Sequence, residues 1–411
     1  MTDNHIERTC CIVGGGPAGM MLGFLLARAG IRVSVLEKHA DFLRDFRGDT
    51  IHPSTLELMY ELGLLDEFLK LPHSRVEKLS GQIGAERITI ADFTHLPTLC
   101  KYIALMPQWD FLYFLAEHGK RYSSFDLRMR TEATDLIQEN GRVVGIHAQA
   151  PDGELDIRAD LVVACDGRHS TLRRCAGLQV EDVGAPMDVL WFRLSRKDND
   201  NPNTFGHIEA GRMLVMLNRG DYWQCAYVIR KGGFADVQAA GLDAFQRSVV
   251  ELSPFLADRI GEISDWEHVK LLTVGVDRLT RWSLPGLLCI GDAAHTMSPI
   301  GGVGINLAVQ DAVAAANILW EPLRDGRIDL HVLQKVQDRR EFPMRFTQRL
   351  QMFIQNHLIT PVLRGGERPK PPFLAKLLGW FAPLRRIPAR LVGLGVRPEH
   401  IRTPDAVSGL K

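Results

Sequence analysis

No excess of one charge marks this chain of 411 residues: 49 lysines and arginines balance 49 aspartates and glutamates. With no net charge and no basic block interleaved with aromatics, nothing in the composition draws nucleic acid or acidic partners. Apolar residues make up 45% of the chain, yet no run reaches the length of about 18 that a membrane span needs, so no span is expected. The opening MTDNHIERTC does not read as a secretory signal. The seven cysteines (Cys10, Cys11, Cys100, Cys165, Cys175, Cys225 and Cys289) form no CxxC and no metal-like spacing. They sit mostly in apolar runs and are expected to be buried thiols of a cytoplasmic protein, with no metal site. Ser-His-Asp, HExxH and Walker motifs and low-complexity segments are also missing, and no internal repeat appears beyond three strand-end loops. What remains is a globular chain long enough for two domains.

Glycine is where the sequence speaks. Arg8–Val13 reads as a strand buried on both faces, as in a parallel sheet. Gly14, Gly16 and Gly19 follow in GxGxxG spacing, with Pro17 and Ala18 opening a helix that runs to about Ala29. A second strand, Ile31–Leu36, ends at Glu37 and Lys38. Strand, glycine loop, helix and an acid about 20 residues on make the full dinucleotide fingerprint. Gly14 permits the tight turn, Gly16 lets backbone approach a pyrophosphate, Gly19 lets helix pack on sheet, and Glu37 can accept from a ribose hydroxyl.

The design recurs twice. In Ala159–Arg174 an apolar strand ends in Asp166-Gly167, followed by Ser170 and Arg173. In CIGDAAHTMSPIGGVGIN a strand ends in Gly291-Asp292, followed by Pro299, Gly302, Gly304, Ile305 and Asn306. Three parallel strands ending in acids and glycines would meet along one sheet edge. One extended ligand with a pyrophosphate, a polyhydroxyl chain and a planar ring would use all three. Asp292 would bind the hydroxyls, and the helix start at Gly301–Asn306 would place N–H donors and a positive helix end against the ring.

Taken together and in order, GxGxxG, DGxxSxxR and GDAAHxxxPxxGxGxN resemble the single-component flavoprotein aromatic hydroxylases, the para-hydroxybenzoate hydroxylase-like family, over roughly residues 8–330. The resemblance implies FAD as cofactor, with Arg47 near its pyrophosphate and Gln108 near its ribityl chain. It also implies Pro299 beside the reactive flavin edge, backbone contacts from Ile305 and Asn306, and an Asp166 that serves FAD and the nicotinamide cofactor. Arg47 read alone could be a surface charge, and Gln108 a helix cap. The implied reaction is hydroxylation of an aromatic substrate, phenolic or lipophilic, by NAD(P)H and O2 through a flavin hydroperoxide. No side-chain acid or base is assigned. NAD(P)H has no second GxGxxG and hence no Rossmann domain of its own.

The expected architecture is α/β: a Rossmann-like FAD domain of the glutathione reductase type with an inserted β-sheet substrate domain and a C-terminal helical segment. The FAD domain is placed at 1–75, 100–185 and 270–330, the substrate domain at 76–99 and 186–269, and the helical segment at 331–411. Trp191, Trp223 and Gln224 lie on candidate roof strands and are the substrate candidates, although each indole also suits ordinary sheet packing. His295 reads as structural, and His52 as the residue before a helix. A flavin-dependent halogenase would carry WxWxIP, which is absent. A polyprenyl reductase and a non-catalytic, redox-sensing FAD protein remain as alternatives, and a homodimer stays open. From Arg364 to Arg402, nine basic residues face two acids beside apolar runs cut by prolines. The expectation there is short helices folded back with buried apolar faces, rather than peripheral attachment to a membrane.

Overall fold

The computed structural model describes residues 5–43, 50–200, 204–365 and 371–407. Arg47 lies outside the described residues, as do Glu367, Arg368 and Lys370 of the tail. The architecture is α/β, as expected. Its first layer is an eight-stranded sheet with a parallel centre, in the order Leu287–Cys289, Gly153–Ala164, His5–Val13, Val33–Glu37, Phe125–Met129. Cys10 to Val13 are buried because this strand has neighbours on both sides and helices above and below. Val13 stands level with Leu36 on one side and Ala164 on the other, and Ala164 level with Cys289. The three loop motifs therefore leave the sheet side by side.

The second layer is a seven-stranded sheet built from two distant pieces of chain. Lys78–Ile83 and Glu86–Asp92 join Phe205–Glu209, Arg212–Asn218, Tyr222–Arg230, Met187–Ser195 and Lys270–Leu272. The seam is a parallel pairing of Gly81 with Gly206. One face packs Phe192, Trp223 and Tyr227 under the helix Leu242–Leu252 through Phe245 and Val249. The other packs Met187, Met213 and Val228 against Ile300, Ile359 and Leu363. That second face looks toward the Pro299–Asn306 loop.

The helix Gly304–Arg324 runs through the core. With its preceding turn it is long and apolar enough to cross a membrane, but most of it is buried inside the protein. One acid interrupts its small apolar residues. Asp311, fully buried, takes 2.7 Å and 2.9 Å contacts from His295 Nε2 and Arg340 Nε, and a 3.2 Å bond from the Gly291 backbone N–H. Arg340 continues to Glu399 at 3.3 Å, and Arg339 to the same carboxylate at 2.7 Å. Burial alone would push the Asp311 carboxyl up; His295 and Arg340 outweigh it and hold the group below the usual carboxylate value.

The tail does form short helices, Phe373–Trp380 and Arg386–Gly393. Ala389 and Gly393 are buried, but Phe373, Trp380, Phe381 and Ile387 are exposed, against the expectation of inward packing. Helices of two turns with apolar residues around most of their girth can bury only one side.

Replacing Asp311 by Asn should destabilise the protein by roughly 3–5 kcal/mol, since Arg340 is left buried without its counter-charge. Because the folded-state pKa is lowered, this contribution is complete above the ordinary carboxylate range and is lost as pH falls through the lowered value. Urea unfolding of both proteins at neutral and acid pH measures it. A neutral-pH difference under about 1 kcal/mol would refute the assignment.

Candidate functional site

The glycines of the first loop do different work. At Gly14, φ is +107° and a Cβ would stand 2.3 Å from the Cys165 carbonyl oxygen. At Gly19 it would stand 1.9 Å from the Gly14 carbonyl oxygen. Both are bare because the protein itself fills the space. Gly16 is not crowded: its φ of −75° and ψ of −175° suit any residue, and a Cβ there meets nothing within 4 Å. It opens the helix Pro17–Arg28, whose first N–H groups have no partner within the helix. An open cradle at a positive helix end fits a pyrophosphate.

Glu37 closes the neighbouring strand beside this loop. Its carboxylate accepts from the backbone N–H of Gly15 at 3.2 Å and of His39 at 3.0 Å, which sets its position at the strand end. Lys38 turns outward, exposed, and pairs with Glu132 at 3.7 Å, so its ammonium is directed away from the glycine loop.

In the second copy, one Asp166 oxygen is already committed. It accepts from Thr171 N at 2.7 Å and Leu172 N at 3.3 Å, capping the turn Thr171–Cys175. Its other oxygen is enclosed and without a partner, and burial pushes the carboxyl up. An orphaned buried acceptor beside Gly167, where a Cβ would meet nothing within 4 Å, leaves room and need for an external donor. Ser170 accepts from Arg173 N at 3.0 Å, and Arg173 reaches the Ala293 carbonyl at 3.3 Å, joining the second copy to the third.

The third copy is wedged in place. A Cβ on Gly291 would lie 3.0 Å from Ala18 Cβ and 3.4 Å from Ala308 Cβ, so the turn is held between the two helices that start at the glycine loops. Asp292 is half-buried at this turn. Pro299 precedes the turn Ile300–Gly302, whose last carbonyl accepts from Thr50 Oγ1 at 2.7 Å. Gly304 begins the long helix in open space. Ile305 is buried in the core. The Asn306 side chain is held by three bonds: its oxygen accepts from His52 N at 3.0 Å and Thr55 Oγ1 at 2.7 Å, and its amide donates to the Thr50 carbonyl at 3.3 Å. Thr50 pairs with Leu105 across a small sheet, and this brings Gln108, half-buried at the start of the helix Gln108–Gly119, toward the same region.

Sequence reasoning missed a ladder of glutamines. Gln348, Gln351 and Gln355 share one buried face at the end of the helix Leu330–Ile354 and the π-turn after it. Gln348 donates to the Thr296 carbonyl at 3.0 Å. Gln351 accepts from Ser298 N at 3.1 Å and donates to the carbonyls of Ser298 and Ile300, each at 2.9 Å; Gln355 donates to Ser298 Oγ at 2.7 Å. Every residue flanking Pro299 is thereby fixed. The signal was there: three glutamines at helical spacing in a stretch otherwise rich in charge. Asp311, the one acid within the apolar stretch 305–320, was equally legible. His295 is structural as expected, and His52 is buried ahead of the helix Pro53–Glu61, its Nδ1 on the Val392 carbonyl at 2.7 Å. Burial lowers its pKa to about 4, so the ring is neutral.

The substrate candidates divide between the faces of the roof sheet. Trp191 stands opposite Ala226, and Gln224 opposite Arg193, on the face that also carries Val189 and Val228 and looks toward Ile300. Trp191 Nε1 is enclosed without a partner, while Gln224 accepts from Arg219 Nε at 2.8 Å. Trp223 belongs to the opposite face, and its proposed place at the substrate is corrected. It is fully buried among Phe205 and Phe255, and its Nε1 donates to Asp200 at 2.9 Å. Strand alternation puts the two indoles on opposite sides. A cavity of about 470 Å3 lined by Phe205, His207, Ser253 and Phe255 is also on this far side and is not the strand-edge site.

Residues 7–350 match the family model described as an FAD binding domain. The chain is 30% identical over 381 residues to 6-methylpretetramide 4-monooxygenase of Streptomyces rimosus, covering 92% of this chain and 91% of that protein. It is 27% identical to digeranylgeranylglycerophospholipid reductase of Methanocella arvoryzae over 80% of this chain and 81% of the relative. Among solved structures, p-nitrophenol 4-monooxygenase PnpA of Pseudomonas putida DLL-E4 superposes with a TM-score of 0.76 at 21% identity, over 94% of this chain and 97% of that one, a likeness of fold. The chain belongs to the FAD-binding domain family. Its enzyme class is that of the FAD-dependent flavoprotein monooxygenases.

Gly16→Val should leave the fold intact, with apo-protein stability within about 1 kcal/mol, because the new side chain enters empty space. It should abolish FAD retention, read from the flavin absorbance after reconstitution. Gly14→Val should fail at the level of folding. A Gly16→Val protein as yellow as the wild type would rule out the cradle.

Proposed function

We propose that this enzyme hydroxylates an aromatic substrate, phenolic or lipophilic, using NAD(P)H and O2, with FAD lying along the shared strand edge. The observation that carries the reading is the convergence there of the Gly16 cradle, the orphaned Asp166 oxygen and the Pro299–Asn306 loop. When bound, FAD supplies the storage of reducing equivalents and the activation of oxygen. The chain supplies position and electrostatics. Backbone N–H groups after Gly14 and at the start of Pro17–Arg28 hold the pyrophosphate, and Glu37 takes a ribose hydroxyl. Asp292 and Gln108 take hydroxyls of the ribityl chain. The N-terminal end of Gly304–Arg324 sets uncancelled N–H dipoles against the ring, stabilising negative charge on it. The glutamine ladder keeps Pro299 and Ile300 from relaxing when that charge changes.

The substrate lies between this loop and the Trp191 face of the roof sheet, where Val189, Ala226 and Val228 keep the space apolar and exclude water. Trp191 stacks on its ring, and the unpartnered indole N–H offers one donor to a polar substituent. The FAD domain takes 1–75, 100–185 and 270–330 and the roof 76–99 and 186–269, except that the strand Lys270–Leu272 belongs to the roof sheet. The seven free thiols suit a reducing cytoplasm.

The test is NAD(P)H oxidation with O2 uptake over a panel of phenols and polyprenyl acceptors. The product should gain one oxygen atom, and the right phenol should accelerate oxidation. Oxygen-independent saturation of a polyprenyl chain would replace this reading with a reductase. Asp292→Ala should lose most of its flavin. Trp191→Ala should raise the KM for the stimulating substrate while flavin content and stability hold. Trp223→Ala should instead lose roughly 3–5 kcal/mol of stability, as for a large core side chain. Equal effects of the two replacements would refute the division between faces.

A further inference from the structure

The outer surface of the C-terminal segment has no role in the reading above. Between residues 371 and 398 the sequence carries Lys376, Arg385, Arg386, Arg390 and Arg397 and no acid. Its inner side is committed. Ala389, with Val392 and Leu394, packs on Phe93, Leu96 and Leu217, and Val392 meets the buried His52 ring through its carbonyl. A Cβ on Gly301 would lie 3.9 Å from Val392. The segment therefore covers the loop beside Pro299 and the end of the roof sheet.

The outer side is unusual for a soluble surface. Phe373, Trp380, Phe381 and Ile387 are 72%, 68%, 55% and 59% exposed. On Arg386–Gly393 the exposed positions are Arg386, Ile387 and Arg390; Ile387 points away from buried Ala389 and Gly393, and the two arginines flank that buried side. Arg385 donates to the carbonyls of Leu378 and Gly379, each at 2.8 Å, so it ties the two short helices together and fixes the Trp380-Phe381 corner outward. Clustered aromatics ringed by cations and fixed in place need a partner that is apolar within and anionic at its surface.

We propose that this face docks on the surface of an anionic lipid bilayer, with Trp380, Phe381, Phe373 and Ile387 entering the headgroup boundary and Arg386 and Arg390 on the phosphates. A second copy of the chain fits less well. A twofold contact through this patch sets the same surface against itself, pairing Arg386 and Arg390 with their own copies, while the neighbouring acid, Glu86, is taken by Lys376 at 3.7 Å. Lipid answers both features. Indole and phenyl rings settle at the interface, and each basic residue near an anionic leaflet multiplies binding by about fivefold. Prolines at 372, 383 and 388 prevent one long amphipathic helix. The aromatic corner replaces the stripe. The Gly301 turn lies directly under this segment, within 3.9 Å of Val392, so on the reading proposed above a lipophilic substrate has a short path from bilayer to site.

Co-sedimentation of the FAD-loaded full chain with phosphatidylcholine vesicles, with and without phosphatidylglycerol, tests this at low and high salt. Binding should require the anionic lipid and fall with salt. Arg386→Gln/Arg390→Gln should weaken it by more than about tenfold, and Trp380→Ala/Phe381→Ala should abolish it, both with wild-type flavin content. Failure to sediment with anionic vesicles overturns the proposal. So does a dimer in analytical ultracentrifugation that Trp380→Ala/Phe381→Ala converts to monomer, because a second copy then covers the face. Flavin content and NAD(P)H oxidation in solution are read separately, so failure here leaves the hydroxylase reading standing.

Discussion

Parallel strands in register fix everything else in this molecule. Val13, Leu36, Ala164 and Cys289 stand level because each strand's hydrogen bonds reach the next, with Cys165 N donating to the Val13 carbonyl at 2.7 Å and Ile290 N to the Ala164 carbonyl at 3.1 Å. Segments far apart in sequence therefore turn out of the sheet at the same height. A slip of one residue in any pair would reverse its side chains and separate an acid from its glycine loop.

Behind that edge the chain invests polar groups where apolar ones would pack as well. Asp311 ties the Gly291 turn to His295, Arg340 and, through Arg340, the tail at Glu399. The glutamine ladder does the same for residues 296–300. Buried networks of this kind add little net stability when complete, but they have one satisfied arrangement and penalise every other. In the function proposed above these loop positions lie beside the flavin ring, where such definition matters. Arg340, Glu399 and the three glutamines, all C-terminal to the recognisable motifs, help supply it.

The roof sheet divides its labour by alternation. Its Trp223 face is closed by the helix Leu242–Leu252 and serves as a core. Its Trp191 face meets Ile300 and the segment Ile359–Leu363, and this makes the space above the loop apolar. The C-terminal helices close that space with one side and show the other to solvent.

Local chemistry was enough to read the loop motifs, the helix starting at Pro17, the strands feeding Gly14, Asp166 and Gly291, and the β-rich inserts. Glycines, acids and apolar runs impose those conformations wherever they occur in that order. The sequence likewise placed His295 among the structural residues. Which face of a strand is covered by a helix and which is left toward the Pro299–Asn306 loop depends on pairing across distant segments. Trp191 and Trp223 were therefore indistinguishable until Gly81 met Gly206 and Trp191 met Ala226. The second oxygen of Asp166, the anchored side chain of Asn306 and the outward turn of Lys38 were decided the same way, by neighbours remote in sequence. Short-range pattern sets what a residue can do; long-range packing settles which of its atoms are still free to do it.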